Sequence, residues 1–266
     1  MIKKIILSAV VASSLAVTAQ ADTKNDDKLV THTELGYIKT TGNTETQTFS
    51  LDTKWKKGWE KHIFTWSFDG QYAEDNDIES KNKFFTELEY DYEITDRFAF
   101  DYLAGYKSDK FSNFDYQFYT GPGAKYKAIK SDAHNLSLEG NILYAYDMIM
   151  KEVTDASGAV VNYPYTDAQD PTYVSRDAYS DDYAGVRLKG IYEWKISDVY
   201  KFNQELSYRA DISELTNYFV FSKTDLSAKM TDILSASLSY KFDYVNEPGD
   251  KKSTDNTFTI GLIIDY

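Results

Sequence analysis

The sequence predicts an all-β chain: a transmembrane, antiparallel, up-and-down β-barrel of about 12 strands with short periplasmic turns and long extracellular loops. Three observations carry this expectation. Apolar and polar residues alternate with period two along nearly the whole chain, as in strands whose two faces meet different surroundings. The connections between these segments are alternately short and long. An export signal precedes the first segment, and no later stretch approaches the ~20 consecutive apolar residues of a membrane helix.

Met1 to Ala21 has the three parts of a cleavable signal peptide. Lys3 and Lys4 are its positive start, Ile5 to Val17 its apolar stretch, and Ala19-Gln20-Ala21 its small-residue cleavage site. Cleavage would leave residues 22–266 as one barrel domain and, by removing two lysines, take the net charge from -13 to -15. The acidic balance argues against nucleic acid, whose phosphates call for Lys and Arg. With no Cys in the chain, neither a disulfide framework nor a thiolate metal site is available. No cofactor is expected.

The strands follow in order. Leu35 and Tyr37 open the series, and Phe49, Leu51, Thr53 and Trp55 alternate with Ser50, Asp52 and Lys54. Phe64, Trp66, Phe68 and Tyr72 come next. The clearest segment runs from Phe84 to Ile94, with Phe84, Thr86, Leu88, Tyr90 and Tyr92 on one face and Glu87, Glu89, Asp91 and Glu93 on the other. A helix would scatter both sets around its axis. Eight further segments of the same kind lead to Phe258, Ile260, Leu262, Ile264 and Tyr266. Strands of roughly 10 to 13 residues suit a tilted crossing of a bilayer.

Short turns are expected at 57–60, 95–97, 129–134, 196–198 and 231–232, mostly carrying the Thr-Asp or Ser-Asp pairs that favour turns. Longer polar connections are expected at 73–81, 108–115, 147–182 and 246–254. An even strand count places both termini at the turn end. The apolar face points to lipid, because a barrel of this size has a polar interior. Aromatic residues gather near strand ends, as with Tyr144 and Tyr146 at one rim and Tyr192, Trp194, Tyr200 and Phe202 at the other. Such rings favour the headgroup level. Expected partners are therefore outer-membrane lipid and lipopolysaccharide.

The candidate site is the lumen. Glu87, Glu89, Asp91, Glu93, Lys125, Arg187, Lys189, Arg209, Lys223 and Lys241 fall on the inward face. Either they set the selectivity of a narrow pore for small solutes, or they fill the interior with ion pairs and nothing passes. The acidic runs Glu74 to Glu79 and Ser180 to Asp182 resemble Ca²⁺ donors in type, but lack the Gly and distal Glu of a complete loop. The long segment 147–182 is a candidate cap for the pore. The alternating end Phe258, Ile260, Leu262, Ile264, Tyr266 looks like the signal read by the outer-membrane assembly machinery.

Enzymatic activity is not expected. Known outer-membrane hydrolases rest on a His near the extracellular rim, whereas His32, His62 and His134 all map to the turn end, without a Ser and an acid in reach. A hydrolase and a soluble exported β-sandwich that binds through its Tyr-rich surface are the competing readings. The segment Glu34 to Glu45, with Gly36-Tyr37 and Thr40-Thr41-Gly42-Asn43-Thr44, resembles the opening hairpin of domain-of-unknown-function family 481 (DUF481). Thr120-Gly121-Pro122-Gly123 and Tyr126 resemble that family's glycine-rich strand. The family is described as salt-induced outer-membrane proteins, so the resemblance implies a porin-like, Gram-negative envelope protein related to salt or stress, with no catalytic residues to carry over. From the residues alone, Gly42-Asn43 suits a tight turn, and Gly121 and Gly123 would make room where side chains from opposing strands meet in the lumen.

Overall fold

The computed structural model describes residues 29–40, 46–149, 153–154, 174–175, 179–249 and 251–266. The expected export signal, the expected turn at Gly42-Asn43 and most of the segment 147–182 lie outside these residues. The strands are β1 (Leu29–Thr40), β2 (Thr46–Trp59), β3 (His62–Asp75), β4 (Ile78–Glu93), β5 (Phe98–Asp109), β6 (Phe114–Lys130) and β7 (His134–Ile149). Next come β8 (Val153–Thr154), β9 (Val174–Ser175), β10 (Tyr179–Lys195), β11 (Tyr200–Asp211), β12 (Tyr218–Lys229), β13 (Leu234–Val245) and β14 (Thr254–Asp265). Strands β8 and β9 pair only with each other, inside the long connection. The remaining twelve close into an antiparallel barrel in which each strand pairs with its neighbours in sequence, and β1 meets β14. Among the described residues there is no helix.

Alternation in sequence becomes alternation in space. On β10, Leu188 points outward and is 60% exposed, while Arg187 and Lys189 on either side are 3% and 8% exposed. Leu88, Ile142, Leu206, Leu238 and Ile260 likewise cover the outside. Barrel closure leaves no long free sheet edges apart from the β1–β14 seam, and that is how a sheet satisfies its backbone groups away from water.

Two aromatic girdles ring the exterior. On the loop side, Phe68, Phe84, Tyr106, Tyr116 and Tyr146 stack one on the next across five adjacent strands, with centroids 5.6 to 6.2 Å apart. Tyr208, Tyr218 and Tyr244 continue the ring on β11 to β13. On the turn side, Trp59 stacks on His62, and His134 stacks on Tyr192 and Trp194.

Several expected boundaries are corrected. The connection 73–81 is not a loop: β3 and β4 run on to a two-residue turn at Asn76 and Asp77, both at positive φ (49° and 62°). Asn and Asp tolerate that conformation, and two such residues make the tight turn matching strand twist. Asp147 and Ser180 to Asp182 are also in strands, so β7 and β10 reach beyond the membrane-crossing length. The expected turn at 57–60 shifts to Glu60 and Lys61, with Glu60 at φ 51°. A polar connection at 212–217 was not anticipated. At 73–81 and at the ends of β7 and β10 the polar composition was read as loop, but ladder pairing between tall strands overrode it.

Gly121 also has a different role from the one expected. A Cβ there would run into the Ile142 carbonyl oxygen of the neighbouring β7, and at Gly123 into the Asn141 side chain and the Gly140 carbonyl. The glycines allow close approach of adjacent backbone rather than clearance for side chains from opposite walls.

Candidate functional site: the charged lumen

Every second residue of each barrel strand faces inward, so the wall brings together groups far apart in sequence. The first cluster joins β4, β6, β7, β10 and β11. Arg187 Nη2 donates to Glu87 Oε1 at 3.0 Å, and the Tyr119 hydroxyl donates to Glu87 Oε2 at 2.7 Å. Lys189 Nζ lies 3.4 Å from Glu89 and 3.5 Å from Glu205. Lys125 Nζ donates to Asp91 at 2.8 Å and lies 3.2 Å from Glu139. Nearer the turn end, Lys127 Nζ donates to Glu93 at 2.6 Å. Such charges are tolerated away from bulk water because each faces an opposite charge or a hydrogen-bond donor.

The second cluster lies on the far wall. Lys223 Nζ donates to Asp52 at 2.7 Å and to Glu34 at 3.4 Å. Lys241 pairs with Asp69 and lies 3.3 Å from Asp52. Glu34 also accepts from the Ser237 and Ser239 hydroxyls, both at 2.6 Å. A third group sits toward the loop end: Lys83 Nζ donates to Asp243 and Asp255, both at 2.8 Å, and Lys107 to Asp243 at 3.2 Å.

Between these clusters runs a cavity of about 1430 Å³. Glu87, Glu89, Asp91, Glu93, Lys125, Arg187, Lys189, Arg209 and Lys223 line it; Lys241 is inward-facing but covered by its carboxylate partners. The lining reaches the turn end at Lys195, Asp232 and Asp265. Toward the loop end it stops at Phe219, Asp243 and Val245, and none of the described loop residues at 76–77, 110–113, 212–217 or 246–249 lines it.

Toward the loop end, contacts cross between the walls. Arg209 on β11 has its guanidinium carbon 4.9 Å from the Tyr119 ring centre and 4.3 Å from that of Phe219. Phe219 meets Phe114 edge-on at 5.8 Å, which links β12 to β6. Beside this layer, Leu103, Leu143, Ala145, Tyr119 and Tyr183 form a buried apolar cluster inside the barrel, with Phe85 against it. A polar interior was expected; here part of the wall is apolar.

Sequence reasoning missed Glu34, Asp52, Asp69, Lys83 and Asp255 as members of the charge network. Their inward parity was available from the alternation. Their partners were not, because ladder register and barrel closure decide who faces whom. The three histidines lie at the turn end and bond to a carboxylate or phenol: His32 to Asp265 at 2.6 Å, His62 to Tyr90 at 2.7 Å and His134 to Tyr192 at 2.8 Å. None of these bonds involves a Ser or Thr hydroxyl. Among the described residues no group of three or more His, Asp and Glu is arranged to hold a metal ion. Glu74 and Glu79, read as possible Ca²⁺ donors, face each other across the β3–β4 ladder.

No curated protein matches the sequence. Among solved structures, the NanC porin is 14% identical over 88% of this chain and 98% of its own, with a TM-score of 0.47. The KdgM porin is 13% identical over 90% of this chain and 99% of its own, with a TM-score of 0.41. The translocator domain of the autotransporter NalP from Neisseria meningitidis is 11% identical over 90% and 88%, with a TM-score of 0.43. The profile of the family described as "Protein of unknown function, DUF481" matches residues 33–266, so the chain belongs to DUF481.

Proposed function

We propose that this chain is a non-enzymatic outer-membrane barrel that carries ions or small polar solutes through its lumen, with a constriction at the extracellular end. The observation that supports conduction most directly is the cavity of about 1430 Å³ lined by charged groups and continuous with the turn-end mouth. A barrel serving only as a packed wall would have no reason to leave that space. Rings of opposed charge along a narrow lumen are the usual means of sorting small ions and solutes. The apolar exterior between two aromatic girdles supports placement in a bilayer. Loops at one end and turns at the other support an orientation with the turns in the periplasm.

The same exterior would meet lipid and lipopolysaccharide, and the inward–outward alternation of Phe258 to Tyr266 would serve recognition by the assembly machinery. The aromatic partners of His62 and His134 and their turn-end position favour interfacial anchoring over hydrolysis. A role in envelope maintenance under salt or other stress is the second form of this reading and requires no conduction. Planar-bilayer recording of the refolded barrel separates the two. Discrete conductance steps support the channel; a barrel that shows heat-modifiable gel mobility but stays electrically silent sinks it.

A further inference from the structure

Among the described residues, the seam that closes the barrel is incomplete. Strand β1 pairs with β2 through twelve residue pairs, from Leu29 to Thr40, and β14 pairs with β13 through eleven. Between β1 and β14 the ladder holds five pairs among the described residues, His32–Gly36 against Gly261–Asp265. Below them, Thr31 and Tyr266 exchange both backbone hydrogen bonds, at 2.7 and 2.8 Å. In an antiparallel ladder every second pair repeats that exchange. Thr33 with Ile264 and Leu35 with Leu262 are such pairs, and Tyr37 with Ile260 would be the next. Pairing stops one residue short of it.

The stop falls within the apolar band. Phe258 and Ile260 point outward, each 56% exposed, and Tyr37 beside them is 60% exposed. Unpaired strand edges are not expected to face hydrocarbon unless they border protein or a polar cavity. Here the inner side is polar. Thr257 and Thr259 are buried beneath the edge. In place of main-chain pairing, side chains from β3 and β4 reach past β1 and β2 to hold β14. The Thr257 hydroxyl donates to Gln71 at 2.9 Å, and Lys81 Nζ donates to Asp255 at 2.9 Å and to Thr257 at 2.8 Å.

We propose that the β1–β14 seam between Tyr37 to Thr40 on one side and Thr257 to Ile260 on the other is a lateral portal that admits an amphiphile from the surrounding bilayer. Its polar head would bond to the backbone groups left beyond the last pair, Gly36 with Gly261, and to the Thr257–Gln71–Lys81 set. Its tail would stay among Tyr37, Phe258 and Ile260. The side-chain links form the latch, and their release widens the slot. This inference rests on the membrane placement proposed above but not on axial conduction.

The absence of Cys allows single labels. Bimane would be attached at Thr259→Cys (inside, at the seam), Phe258→Cys (outside) and Ser137→Cys (inside, opposite wall). The barrels would be refolded into vesicles of dibrominated phosphatidylcholine. The portal predicts loss of fluorescence at positions 258 and 259 but not 137, with a further loss at 259 when Asp255→Asn removes a latch partner. Quenching at 258 with 259 as bright as 137 overturns the portal. No quenching at 258 overturns the membrane placement instead. Amide exchange on the unlabelled barrel gives an independent reading, since the Ile260 amide should exchange much faster than that of Leu262. Equal protection also overturns the proposal.

Discussion

Arg187 on β10 donates to Glu87 on β4 at 3.0 Å, joining two strands that have three others between them along the barrel wall. Both side chains are almost fully buried. Glu87 also accepts from Tyr119, so one carboxylate ties β4, β6 and β10 together. Removing Arg187 leaves Glu87 buried with only Lys189, 3.5 Å away, as its counter-ion, and an under-compensated buried charge costs more than the intact pair contributes. Arg187→Met should therefore destabilise the refolded barrel by about 3 kcal/mol, measured by urea unfolding in vesicles through tryptophan fluorescence. Glu87→Gln added to it should recover part of the loss, because the stranded charge is gone. If the double variant is weaker than the single, the interpretation of a stranded charge is wrong.

Arg209 is held between Tyr119 and Phe219 at the loop end, with Asp147 3.8 Å away. Stacking of this kind contributes about 1–2 kcal/mol when shielded from water. Arg209→Ala should remove it and open the upper end of the cavity, raising single-channel conductance without changing the strand content seen by circular dichroism. Unchanged conductance in a folded variant would place the constriction elsewhere.

Two glycines provide a contrast in strand packing. A methyl at Gly121 meets the Ile142 carbonyl, which belongs to backbone and cannot step aside, whereas at Gly140 the nearest atom is a Leu188 methyl at 3.6 Å. Gly121→Ala should cost about 1–3 kcal/mol. Gly140→Ala should be neutral or stabilising by up to about 1 kcal/mol, as expected for replacing Gly in a strand without a clash. Unfolding midpoints of the two variants side by side would check this, and equal costs would refute it.

Tyr266 starts the closing seam through its two backbone hydrogen bonds with Thr31. Deleting it should slow assembly and lower the fraction of heat-modifiable barrel, with a larger effect in cells, if the terminal strand is also an assembly signal, than in detergent refolding. Equal effects in both settings would confine its role to closure.

At the turn end, Asp198 is exposed and held by Lys195, which donates to it at 2.7 Å and pulls its carboxyl below the ordinary aspartate range. The depressed value means that any stabilisation is present above the ordinary aspartate pKa and is lost as pH falls through the lowered one. Solvent screens such a pair, so Asp198→Ala should leave the unfolding midpoint nearly unchanged. Lys195→Ala should return the Asp198 titration, followed by NMR, toward the usual range; no movement would mean that the ion pair is not the cause.

The strand set was legible from local pattern. Leu188 between Arg187 and Lys189 states both faces of β10 without any reference to another strand, because side-chain direction along a strand depends only on parity. Loop boundaries were less legible. The polar run from Glu74 to Glu79 reads as loop by composition, yet these residues pair across a two-residue turn.

The sequence by itself determined that the chain is a barrel with an apolar outside and a charged inside, since alternation and the spacing of turns are properties of neighbours in the chain. Only the tertiary structure decided that Glu87 faces Arg187, that Arg209 lies between Tyr119 and Phe219, and that β1 and β14 part company above Gly36. Those relationships depend on register, tilt and closure, which are set jointly by all twelve barrel strands, and no single segment carries them.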